Sequence, residues 1–156
     1  KNHDKLLDVF KEYHNRNKKS MLLLIGEGEL ENKIKMKVKE YKLEDAVLFL
    51  GRRGNVEEFL SAMDIMVMPS RFEGLPVTAV EAQMASLPCV LSTTITKETK
   101  FTPYVYFTGF SNFEECISLI DKACGCNRPY DFDKLNDSMF NVVNSARKLE
   151  KVLIDK

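Results

Sequence analysis

The sequence has no excess of either charge. Lys plus Arg and Asp plus Glu each number 23 in 156 residues, so no global field draws the chain to nucleic acid or to an anionic lipid surface. Local basic runs exist at Lys18-Lys19 and at Lys33, Lys35, Lys37 and Lys39. No aromatic residues interleave with them as a base-stacking surface requires, so they are expected as solvated faces and no nucleic-acid partner is expected. No apolar run approaches the roughly eighteen residues of a membrane span, and no signal-peptide pattern is present; a cytoplasmic domain is expected. There is no CxxC pair, and the two His, at positions 3 and 14, stand far from Cys89, Cys116, Cys124 and Cys126, so no metal site is expected. Four thiols suit a reducing compartment, with Cys89 and Cys116 acting as small hydrophobes. Cys124-Gly125-Cys126 allows a local disulfide in air. Repeats, linkers and low-complexity segments are also missing, and residues 1–156 read as one domain large enough to bury a core.

What is present is an alternation of strand and helix. Leu6, Phe10 and Tyr13 share one face of an opening helix, with Asn2 as its expected N-cap. Met21–Ile25 is a short apolar run ending in Gly26-Glu27-Gly28. That turn is half a dinucleotide fingerprint, but the third Gly is replaced by Glu31, and Glu27 and Glu29 would repel a pyrophosphate. Leu30, Ile34, Val38 and Tyr41 form a second helical stripe. Ala46–Leu50 is a further strand, closed by Gly51-Arg52-Arg53-Gly54; Asn55 and Glu58 look like a capping pair for a short helix with Val56, Phe59 and Leu60 inward. Beyond the Thr- and Lys-rich segment 93–100, Pro103–Phe107 reads as an edge strand. Ser111 and Glu114 read as a capping box for a helix carrying Phe113, Cys116, Ile117 and Ile120. A last helix is expected with Phe132, Leu135, Met139, Val142, Ala146 and Leu149 on one stripe. Five alternations argue an α/β, doubly wound, Rossmann-like parallel sheet with helices on both faces and a ligand site outside the carboxyl ends of its strands.

The informative stretch is Asp64–Ser92, DIMVMPSRFEGLPVTAVEAQMASLPCVLS. Ile65–Met68 reads as a strand buried on both faces. Pro69, Ser70, Gly74 and Pro76 break the periodicity, and a helix starting near Pro76 is expected to turn Val77, Val80, Met84 and Leu87 inward. Glu73 and Glu81 flank that start with seven residues between them. The unpaired amides of Gly74, Leu75, Val77 and Thr78, with the helix dipole, suit a phosphate. Carboxylates accept hydroxyls well and phosphates badly, so a Glu on each side of an anion site suits a nucleotide sugar, and both carboxylates are expected to face one cleft. The bland alternative is that Glu73 caps the helix and Glu81 is solvated.

This segment resembles the donor-binding motif of retaining glycosyltransferases of family 4, whose two Rossmann-like domains form the GT-B fold. The resemblance lies in Pro69-Ser70, Glu73-Gly74-Leu75-Pro76, Glu81-Ala82-Gln83 and Leu87-Pro88-Cys89-Val90, and with Ser92 and Thr94-Ile95-Thr96-Lys97-Glu98 it is most similar to bacterial capsular and exopolysaccharide enzymes. It implies that Glu73 takes the donor sugar as the catalytic-site residue, that Glu81 takes the ribose hydroxyls, and that Gly74 and Leu75 offer backbone groups to sugar and phosphate. Ser70 and Pro76 belong to the same implied donor site. It implies a pyrophosphate role for Lys1, a place near the donor cleft for Gly26 and Gly28, and a nucleobase cradle at the turn carrying Arg52. No cofactor or metal is implied beyond the nucleotide diphosphate sugar itself. The partner implied is an N-terminal acceptor-binding domain of the same parent chain, absent from residues 1–156, and any membrane contact of the parent is not through this domain. Two other enzyme classes share the architecture. The Glu pair argues against an epimerase, and no cofactor Lys for a phosphorylase is identifiable; a non-catalytic nucleotide-binding domain is the remaining alternative.

One strand is expected to be missing. In the resembled fold a central strand precedes Lys1 and lies between Met21–Ile25 and Ile65–Met68. Upstream residues supply it, or the two neighbours close on each other, or a second chain fills the slot.

Overall fold

The computed structural model describes residues 1–127 and Ala146. The expected last helix lies outside the described residues, Ala146 apart. In order, the elements are α1 (His3–Arg16), β1 (Leu22–Ile25), α2 (Glu31–Glu40), β2 (Val47–Gly51), α3 (Val56–Ala62), β3 (Met66–Met68), α4 (Val77–Met84), β4 (Cys89–Ser92), β5 (Val105–Thr108) and α5 (Phe113–Cys124). Among the described residues the strands form two parallel sheets, β1-β2 and β3-β4-β5. The neighbours of the expected missing strand have not closed on each other: among the described residues β1 pairs with β2 and β3 with β4.

Between β1 and β3 lies a trough of about 1090 Å³. Residues 22–25 and 65–68 form its two sides, Leu6, Val9 and Phe10 of α1 line it, and so do Val56 and Leu60 of α3. The opening explains a departure from expectation. Residues 22–25, Met66 and Val67 are only half-buried, because one flank of each strand faces the trough. Full burial falls instead on β4. Its side chains alternate between faces: Cys89 and Leu91 pack with Leu60, Ala79 and Ala82, while Val90 packs with Val9, Cys116 and Ile120. Among the described residues β5 ends the β3-β4-β5 sheet; it spans Val105–Thr108 rather than Pro103–Phe107, with Pro103 in the turn before it.

Helix α1 belongs to both halves. Leu7 and Phe10 pack with Ile34, Val38 and Val47 on the β1-β2 side, and Val9 packs with Val90 and α5 on the other. Lys37 Nζ bonds Asp4 O at 2.9 Å and pairs with Asp8 Oδ1 at 2.7 Å, fixing α1 to α2. Lys33 Nζ pairs with Asp4 at 3.0 Å, so part of the Lys-rich stripe is engaged within the domain.

Four local expectations are corrected. Asn2 does not cap α1: it sits in the left-handed region at φ 62°, and its Nδ2 donates to Pro69 O at 3.0 Å. Asn55 and Glu58 bond side chain to side chain at 2.6 Å instead of capping amides. The cap of α5 is Asn112, accepting from Glu115 N at 3.3 Å, and Glu114 is drawn across the domain to Arg16. On α4 the buried face is Ala79, Ala82 and Gln83, and Val77 and Met84 are 66% and 41% exposed. The face that meets the core carries Ala79 and Ala82 packed with Leu60, Cys89 and Leu91, and Gln83, whose amide is hydrogen-bonded inside.

Candidate functional site

The site is built where β3 ends. Pro76, at φ −73° and ψ 109°, leads into α4, as its fixed φ favours. The first bonds run from Ala79 N and Val80 N to Pro76 O, so the Val77 and Thr78 amides have no acceptor within the helix. Glu73 stands just before this turn. Its backbone forms an isolated parallel bridge with Ile95, and its Oε1 is 2.8 Å from Lys1 Nζ. The Lys1 ammonium holds the Glu73 carboxyl below the ordinary carboxylate range, against an opposing push from partial burial.

Lys1 is brought to Glu73 by the Asn2–Pro69 bond, which moors the start of α1 to the end of β3 across 67 positions of sequence. Ser70 is nearly fully buried; among the described residues its Oγ makes no hydrogen bond of normal length, and its hydroxyl adds to the lowering of the Glu73 carboxyl. The carbonyl of Ser70 accepts from Thr94 Oγ1 at 2.7 Å, and Thr94 Oγ1 is 2.8 Å from Ser92 Oγ.

The trough opens at the carboxyl ends of the strands, where its wall includes Lys1, Gly26, Arg52, Thr78 and Glu81. Gly26 has φ 114°, a conformation that favours glycine and turns the chain away from β1. Arg52 and Arg53 are exposed and make no ion pair among the described residues. Glu81, also exposed, is on the wall of the trough. Glu73 is not on that wall; it meets the site through Lys1. Gly74, Leu75 and Pro76 form the turn between the two carboxylates, with Leu75 exposed and Pro76 buried.

Thus Lys1, Gly26, Arg52 and Glu81 share one opening, whereas Glu73, Ser70, Gly74, Leu75 and Pro76 are not on its wall; the expectation that both carboxylates line one cleft is corrected, because Glu73 turns to Lys1 instead. Sequence reasoning missed the mooring role of Asn2 and the tie from Thr94 to Ser70. Neither has a local signal, because each joins segments remote in sequence. Among the described residues no group of three or more His, Cys, Asp or Glu is arranged to hold a metal ion, and no helix is long and apolar enough to cross a membrane. All four Cys are free thiols, including Cys124 and Cys126.

Comparison with known proteins places the chain in a family and a fold. The chain is 40% identical over 98 residues to EpsF of Bacillus subtilis, covering 63% of this chain and 26% of that protein. It is 38% identical over 74 residues to the UDP-Gal:alpha-D-GlcNAc-diphosphoundecaprenol alpha-1,3-galactosyltransferase of Escherichia coli, covering 47% and 19%. The chain therefore spans about a quarter or less of the length of these relatives. Among solved structures, Anabaena Alr3699/HepE in complex with UDP superposes with a TM-score of 0.77 at 16% identity, over 100% of this chain and 46% of that one. The lipopolysaccharide outer core galactosyltransferase WaaB gives 0.76 at 17% identity, over 99% and 45%. These likenesses establish the GT-B, Rossmann-like fold. The family described as glycosyl transferases group 1 matches residues 1–123, and the chain belongs to that family.

Proposed function

We propose that this chain is the donor-binding half of a retaining glycosyltransferase that moves a sugar from a nucleotide diphosphate sugar to a glycan or lipid-linked acceptor in surface polysaccharide synthesis. The observation that carries the reading is the Lys1–Glu73 pair, 2.8 Å apart, beside the free amides of α4, with Glu81 on the wall of the same opening. In this reading Lys1 and the Val77 and Thr78 amides take the pyrophosphate, Glu81 accepts the ribose hydroxyls, and Glu73 accepts hydroxyls of the sugar. The departing diphosphate is thus stabilised by fixed N–H groups and a cation of the chain, with no resident metal. Arg52 supplies a second positive charge at the base-binding side. Relatives named for galactosyl transfer to a diphosphoundecaprenol-linked sugar and for amylovoran biosynthesis support the substrate class. The four free thiols support a cytoplasmic setting.

The same reading places an acceptor-binding domain elsewhere in the parent protein. It also seats a strand from outside residues 1–156 in the trough, parallel to β1 and β3 and ending near Lys1, where α1 begins. Calorimetric titration with UDP, GDP, ADP and dTDP tests the assignment. Binding of one of them, abolished by Glu81→Ala together with Lys1→Ala, is expected; binding that survives both substitutions places the nucleotide elsewhere.

A further inference from the structure

Gln83 is the one fully buried side chain of α4 that is polar, with 0% exposure. Its two N–H bonds go to backbone carbonyls, Ala79 O at 3.0 Å and Thr99 O at 2.8 Å. Its Oε1 accepts from Phe101 N at 3.1 Å, Thr102 N at 3.2 Å and Thr102 Oγ1 at 3.3 Å. A single amide inside the core thus holds both sides of the segment 99–102, and no titratable side chain is among its partners. A buried amide with every donor used and its acceptor saturated is costly to replace, because each group left behind is desolvated and unpaired.

The other end of that segment reaches the site. Thr94 Oγ1 donates to Ser70 O at 2.7 Å, Ile95 bridges Glu73, and the Ile95 side chain is buried with Ala79 and Ala82. Residues 93–102 are therefore a strap tied at one end to α4 by Gln83 and at the other to the backbone that carries Glu73. We propose that Gln83 is a positioning residue, which fixes Glu73 toward the donor sugar by holding this strap and touches no substrate itself. The proposal rests on the donor-site reading above, and it predicts a division: the nucleotide half of the donor is held by groups that Gln83 does not touch, the sugar half by a group that it does.

The test uses the whole protein that carries this chain, with Gln83→Met, close in length but without the amide, and Gln83→Glu. Hydrogen exchange is read without ligand, and UDP and UDP-glucose are the probes. For Gln83→Met, amides of the strap and of residues 72–75 are expected to exchange at least about tenfold faster while β4 stays protected. UDP affinity should stay within about twofold, and transfer should fall about a hundredfold, the scale for a misplacement of about 1 Å. Gln83→Glu should recover strap protection and transfer as the pH falls, since the neutral acid again donates to one carbonyl and accepts from Phe101 and Thr102. Unchanged exchange at residues 72–75 in Gln83→Met overturns the proposal. So does a parallel loss of UDP binding and transfer, which marks general unfolding. If the wild-type protein binds neither probe, the nucleotide reading fails with these probes, while the exchange comparison still decides the role of Gln83.

Discussion

Replacing Glu81 by Ala removes a carboxylate that the fold does not use. It stands on the second turn of α4, exposed, with no hydrogen bond or ion pair to any described residue. The buried face of the helix is Ala79, Ala82 and Gln83, so no apolar contact is lost. A surface change of this kind shifts stability by no more than about 0.5 kcal/mol, and Ala is a good helix former. Ligand binding should respond differently. Hydrogen bonds to a charged group contribute about 1.5 to 3 kcal/mol, so the dissociation constant for the bare nucleoside diphosphate should rise about ten- to 150-fold. Glu73→Ala is expected to leave that constant unchanged or lower it. Lys1 is paired with Glu73 at 2.8 Å, and removing the carboxylate releases the ammonium for the pyrophosphate. The cost of Glu73→Ala should appear only with the complete donor. Calorimetry with nucleotide and with nucleotide sugar, beside a thermal melt of each variant, separates these effects. Equal losses of bare-nucleotide affinity in both variants would refute the division between the two carboxylates.

Three further outcomes can be measured. Asn2→Ala unfastens α1 from Pro69 and should lower stability by about 0.5 to 1.5 kcal/mol, read as a lower Tm; no change would mean that the bond is not what places Lys1. The Glu73 carboxyl is held low by Lys1, so the pair's contribution is complete above the ordinary carboxylate range and is lost as pH falls through the lowered value. Lys1 is half exposed, so the amplitude should stay under about 1 kcal/mol, and it should vanish from the acid limb of the stability profile in Glu73→Gln. In the native protein a thiol reagent should modify Cys124 and Cys126 but spare Cys89, fully buried and with its thiol pushed up to about 12 by burial; rapid labelling of Cys89 would show that β4 opens.

The class of the fold was legible because its signals are local, and so was the placement of the candidate residues on one turn and helix. Short apolar runs ending in Gly or Pro gave the strands, and Glu73, Pro76 and Glu81 lie within nine positions of one another on one turn and helix. Misreadings arose where a distant partner decides. Asn2 follows the N-cap pattern, yet its side chain finds the Pro69 carbonyl. Glu114 fits a capping box, yet Arg16 takes it. On α4 hydrophobic periodicity pointed to Val77, Val80, Met84 and Leu87; Leu87 is buried, but the face of the helix turned to the core carries Ala79, Ala82 and a hydrogen-bonded Gln83, with Val77 and Met84 exposed. Periodicity measures apolarity, and here hydrogen bonding from segment 99–102 let a polar side chain take a core position.

Helix α1 has a consequence for how the domain assembles. The unit from β1 to β2 and the unit from β3 to β5 each close over shorter stretches of chain than the contacts of α1 with α5, and shorter loops cost less entropy to close. Helix α1 must then meet both, and its contact with α5, marked by Arg16 and Glu114 98 positions apart, is among the most non-local in the domain. The docking of this helix across the two halves is therefore the step expected to be slow, with Leu7 entering one hydrophobic cluster and Val9 the other. Substitutions at these two buried positions should slow refolding together, whereas Ile34→Val, inside one half, should chiefly speed unfolding.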